Sequence, residues 1–259
     1  MVCVEVQNKS YFLEMDLGSK FQLVLDKHIL SKLNKKISET LSGRDFRGHS
    51  YETKGYSIPL IKMGNISFTD VLVKEENDDF VKNTTCWVDP NTSHLPSNRI
   101  GSIGRALLER RNLLLDFYNS TVFISNDVKK LHVDGYNLEE FDRCSFEMGR
   151  TGIIVVANTD MGKIRLSLDT GATTSCIRPS FLPNLISEKK KCGLPCVTTS
   201  KFEIGGTDFG NVDLCFLDIT PELSEIDGIL GMNFLDNHVV YIDYENKVLY
   251  VKKAVKKSK

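Results

Sequence analysis

Two stretches of this chain end an alternating strand in a carboxylate. In Lys163-Ile164-Arg165-Leu166-Ser167-Leu168-Asp169-Thr170-Gly171-Ala172-Thr173-Thr174-Ser175, the residues Ile164, Leu166 and Leu168 share one face at period two, so the strand delivers Asp169 where the chain must turn. Gly171 permits a tight turn with N–H groups near the carboxylate, and the Thr170 hydroxyl is small enough to be buried and hydrogen-bonded inside it. Leu23-Val24-Leu25-Asp26 ends in the same way and runs on into Lys27-His28-Ile29. Two carboxylates held face to face cannot both ionise comfortably, so they share a proton. One then acts as base on a water held between them while the other protonates a carbonyl oxygen. That chemistry needs neither metal nor cofactor, and neither is expected.

The elements that must position these groups recur along the chain. Leu23-Val24-Leu25-Asp26 sets on Leu166-Ser167-Leu168-Asp169, and Met63-Gly64-Asn65-Ile66 on Ile204-Gly205-Gly206-Thr207. Ile100-Gly101-Ser102-Ile103-Gly104 sets on Asp227-Gly228-Ile229-Leu230-Gly231, and Leu115-Asp116-Phe117 on Ile242-Asp243-Tyr244. Landmarks repeated in one order at nearly constant spacing indicate an internal duplication into two lobes.

The strand running into Asp169-Thr170-Gly171-Ala172-Thr173, followed by Ile229-Leu230-Gly231 and two closing alternating runs, resembles the signature of the aspartic peptidases, and Ala172 leans toward the retropepsin-like branch. The resemblance implies an all-β, bilobal, pepsin-like fold of two retropepsin-like β-barrel lobes with a few short helices. It places the N-terminal lobe at 1–127, a linker at 128–144 and the C-terminal lobe at 145–259. It implies Asp169 and Asp26 as the catalytic pair, with Thr170, Gly171, Ala172, Thr173, Lys27 and His28 as the active-site loops. Behind them it sets the apolar-Gly segments Ile229, Leu230 and Gly231 and their counterparts Ile103 and Gly104.

The first lobe departs from the pattern, because Lys27 and His28 stand where Thr and Gly are called for. Lys27 has only donors and cannot reproduce a buried hydroxyl contact, and its charge would favour two ionised carboxylates; His28 adds a Cβ and a ring where backbone should pack closely. The implied activity is an aspartic endopeptidase using a water between Asp169 and Asp26. The alternative is a pseudo-peptidase that holds extended peptides or a protein partner in the cleft. The expected partner is an extended peptide or protein substrate and the expected state a monomer; a homodimer that pairs Asp169 with its own copy stays open.

Around the site, Ile29, Leu30, Leu33, Ile37 and Leu41 fall at helical spacing up to Ser42-Gly43 and predict a helix, while Pro179 and Pro183 leave room only for a short one in the second lobe. Two segments, 43–57 and 187–200, match the hairpin that closes over substrate in the resembled family; Gly43, Gly48 and Gly55 suit such a hairpin, Tyr51 or Tyr56 would face a peptide, and a plain surface loop is the other reading. The polar stretch 76–96, which holds the only Trp at position 87, reads as an extra loop of the first lobe.

With 33 basic against 34 acidic residues and a net charge of -1, nothing points to nucleic acid as a partner. No apolar run reaches membrane-spanning length. Seven cysteines form no framework spacing, which favours a reducing, cytoplasmic setting over export after removal of a signal. Cys192 and Cys196 would close a small disulfide, hold a metal or stand as two thiols on a turn, the last being favoured. The basic run 252–259 reads as a solvated tail.

Overall fold

The structure, a computed structural model, describes residues 1–46, 48–76, 100–181, 190–191 and 193–255. Its first lobe is built from β1 (Val2–Val6), β2 (Lys9–Asp16), β3 (Leu23–Asp26), β4 (Lys36–Arg44), β5 (Ser50–Met63), β6 (Ile66–Glu76) and β7 (Gly101–Gly104). Next come β8 (Leu113–Asp116), β9 (Thr121–Ile124) and β10 (Asp142–Ser145). The second lobe runs through β11 (Glu147–Gly149), β12 (Gly152–Thr159), β13 (Gly162–Leu168), β14 (Ser175–Ile177), β15 (Lys190–Lys191), β16 (Leu194–Thr198), β17 (Phe202–Ile204), β18 (Thr207–Asp208), β19 (Asp213–Phe216) and β20 (Gly228–Leu230), followed by β21 (His238–Asp243) and β22 (Val248–Lys253).

The first-lobe sheet has the order β1-β2-β7-β3-β6-β5-β4, and pairing of β1 with β5, Glu5 to Lys62 and Val6 to Ile61, closes six of these strands into a barrel. Alternation drives this closure: Leu13 and Met15 of β2 point into the core while Phe12 faces solvent. β4 stays outside the ring and, among the described residues, pairs only with β5, which leaves the β4–β5 hairpin as an arm.

The two lobes repeat one arrangement around their centres. β7 pairs parallel with β2 and antiparallel with β3; β20 pairs parallel with β13 and antiparallel with β14. Both lobes contribute to a five-stranded sheet, β10-β22-β21-β8-β9, in which Leu113, Leu114 and Leu115 of β8 face Ile242, Tyr241 and Val240 of β21. This sheet buries its own cluster of Leu114, Leu131, Tyr136, Phe141, Val239 and Tyr241.

Three sequence expectations change. The helix predicted from Ile29 to Leu41 stops after Lys27–Ser31, and Ile37 and Leu41 belong to β4, with Ile37 82% exposed. Pairing with β5 along the hairpin overrides the local spacing, and the register shift between Ile37 and Thr40 blurs the strand's period of two. Cys196 forms a disulfide with Cys215, its partner across β16 and β19, and so is not a free thiol on a turn. The basic run begins inside β22, where Lys252 pairs with Glu140. The loop with Trp87, and Cys192, lie outside the described residues.

Candidate active site

β13 ends at Leu168 and hands Asp169 to a turn held by several hydrogen bonds. Asp169 N–H donates to Leu230 O at 3.0 Å, Gly171 N–H donates to Asp169 Oδ1 at 2.8 Å, and Met232 N–H donates to Ala172 O at 2.8 Å. Asp169 is buried. Opposite it stands Asp16 at the end of β2. There Arg105 N–H donates to Ser19 O at 3.0 Å, the counterpart of the Met232 bond, and Ser19 N–H, one residue further on than Gly171 in its turn, donates to Asp16 Oδ1 at 3.0 Å.

The two turns interlock through their glycines. A Cβ placed on Gly18 would lie 2.5 Å from Asp169 Cγ, and one on Gly171 would lie 2.8 Å from Asp16 Cγ, so each carboxylate rests against the bare backbone of the other lobe's turn. Asp169 and Asp16 are hydrogen-bonded to one another. Burial, and then the negative charge of Asp16, push the Asp169 carboxyl up to about 8, against the pull of the Gly171 N–H. One proton is therefore held between the pair.

Thr170 locks the halves together. Its buried hydroxyl donates to Met15 O at 2.7 Å and accepts from Leu17 N–H at 3.0 Å. The reciprocal position is Leu17, which is buried and has no hydroxyl, so the lock runs one way. Behind the second turn, Ser175 Oγ accepts from Gly231 N–H at 3.0 Å and donates to Asn233 Oδ1 at 2.7 Å, pinning the apolar-Gly segment to the loop.

Over the first-lobe side, Tyr51 lies with its ring 4.1 Å from the Lys74 Nζ and 6.5 Å from the Phe21 ring. Burial, then Asp45 and Asp16, push its hydroxyl up to about 12. Tyr56 points inward, donating to Glu75 Oε2 at 3.1 Å, so of the two tyrosines only Tyr51 is near the pair.

No protein-family model matches the sequence, and no curated protein matches it. Among solved structures, the chain is similar to an aspartic proteinase from Irpex lacteus, at 15% identity and a TM-score of 0.61, with 97% of this chain and 93% of that one covered. The fold is that of the pepsin-like aspartic proteinases.

Within this pepsin-like fold, Thr170, Gly171, Ala172, Ile229, Leu230 and Gly231 gather around Asp169, and Ile103 and Gly104 lie beside β2 at Met15 and Asp16. Thr173 is exposed on the same loop. Asp26 is not there. It ends β3, whose start at Leu23 pairs with Ile103, and its carboxylate caps the helix Lys27–Ser31 by accepting from His28 N–H at 2.7 Å. Lys27 and His28 are exposed on that helix and stand outside the two interlocked turns, so neither takes the place of the Thr or the Gly of an aspartate turn.

β3 corresponds to β14, the strand after the aspartate turn, and not to the strand before it. The missed residues are Asp16, Leu17, Gly18 and Ser19. Their signal is present as Leu13-Glu14-Met15 alternating into Asp-x-Gly-Ser, but Leu17 in place of Thr makes the run read as a plain turn between two strands.

Proposed function

We propose that the chain is an aspartic endopeptidase whose catalytic pair is Asp16 and Asp169. The observation that carries this reading is the seating of each carboxylate against the other turn's glycine, which sets the two side by side with one proton to share. Asp16, ionised, takes a proton from water as the water oxygen attacks the scissile carbonyl, and Asp169 gives its proton to the carbonyl oxygen; the resulting diol collapses as Asp16 passes its proton to the departing amine and one diol hydroxyl returns a proton to Asp169, leaving a carboxylic acid and restoring both carboxyls. The substrate is an extended peptide or protein segment lying in the cleft and bonded by strand addition, below the β4–β5 hairpin. Both carboxylates come from one chain, so a monomer suffices.

A mixed peptide library incubated from about pH 3 to about pH 7 tests this. Cleavage is expected from the wild type and from Asp26→Asn, and none from Asp16→Asn or Asp169→Asn. Cleavage surviving in Asp16→Asn overturns the pairing. Leu17 favours a second reading, since a one-way lock gives the first turn less support: a protein that retains peptides and cuts none at any pH would be a binding module on the same cleft.

A further inference from the structure

The β4–β5 hairpin does not end in solvent. Its tip crosses to the second lobe, where Thr220 N–H donates to Phe46 O at 2.8 Å. The Phe46 side chain packs on an apolar cluster that includes Cys176, Leu217, Ile219 and Ile229 together with Ala172, three residues past Asp169. Gly48 faces Thr220, where a Cβ would come within 3.0 Å of Oγ1. Arg44 and Glu222 pair at 3.1 Å, but both are about half exposed, so this contact adds little.

The receiving loop is built to stay in place. The Arg178 guanidinium donates to four of its carbonyls: Ile219 O at 2.5 Å, Thr220 O at 3.1 Å, Leu223 O at 2.8 Å and Ile226 O at 3.1 Å. Arg150 adds a bond to Glu222 O.

We infer that Phe46 is a positioning residue that anchors the hairpin across the cleft onto the second lobe, so that a peptide reaches Asp16 and Asp169 only after this anchor is withdrawn. Tyr51 on the near side and Phe46 on the far side fix the arm at both ends, and the anchor sets how often the cleft opens. The anchor itself stands whether or not the pair cuts peptides; only its consequence for substrate rests on the peptidase reading.

Hydrogen exchange read residue by residue tests it on the full chain. In the wild type the Thr220 amide is expected to be protected; in Phe46→Ala it should exchange about tenfold faster or more, while Phe46→Leu stays near the wild type and the Leu168 and Leu230 amides stay unchanged in all three. Equal Thr220 exchange in the wild type and Phe46→Ala overturns the anchor. If Phe46→Ala also loosens the Leu168 and Leu230 amides, Thr220→Pro removes the donor without touching Phe46; faster exchange at the Gly48 and His49 amides then supports the anchor, and unchanged exchange overturns it. A peptide carrying a hydroxyl in place of the scissile carbonyl serves as a separate probe, and its association rate should rise several-fold in Phe46→Ala. No binding of that probe to any variant would count against the peptidase reading and leave the exchange result to decide the anchor.

Discussion

At the residue scale, the site turns on how few atoms hold the two turns in register. The Thr170 hydroxyl satisfies both Met15 O and Leu17 N–H, so Thr170→Val leaves two buried backbone groups unpaired and should cost roughly 1–3 kcal/mol of stability in urea titrations. Thr170→Ser, which keeps the hydroxyl, should recover most of it. Asp26 acts elsewhere, as a helix cap, so Asp26→Ala should lose roughly 1 kcal/mol of stability and leave peptide cleavage intact. The raised Asp169 carboxyl gives stability a sign with pH. Its folded value of about 8 lies above the unfolded value near about 4, so the folded state holds a proton that the unfolded state releases between them. Stability from this group is fully present below about pH 4 and falls as pH rises toward 8. Urea midpoints followed across that window should decline in the wild type more steeply than in Asp169→Asn, where the group is gone.

At the element scale, the disulfide joins neighbouring strands β16 and β19 directly opposite one another. A loop closed over 19 positions limits the unfolded chain enough to contribute roughly 3 kcal/mol, so Cys196→Ser with Cys215→Ser should lower the melting temperature by that equivalent and abolish its sensitivity to a dithiol reductant. Much of the element pattern could be read from sequence: the alternation in β2 and β13, the repeated Ile-Gly and Leu-Gly segments and the second turn are local signals. Two features could not be. Asp26 and Asp16 each end a strand, and choosing between them requires knowing that β7 inserts between β2 and β3, a pairing between segments far apart in sequence. Likewise Ile37 and Leu41 satisfy a helical spacing that their pairing partner β5 overrules.

At the scale of the whole molecule, the lobes are joined by more than the cleft. The sheet that combines β8 and β9 with β21 and β22 has its own buried cluster, and Asn112 ties it further, donating to Tyr241 OH at 2.9 Å and accepting from Tyr244 N–H at 3.1 Å. Leu114→Ala at its centre should cost roughly 2–5 kcal/mol and separate one unfolding transition, followed by calorimetry, into two. The same sheet also orders events in time. One edge of β8 is matched by β9 at once, but the other waits for β21, which follows every strand from β10 to β20 in the chain. Until those residues leave the ribosome, Asp16 has a finished barrel around it while the second lobe still lacks the strands that dock it. The two turns therefore settle opposite one another only after the second lobe has been made up to β21.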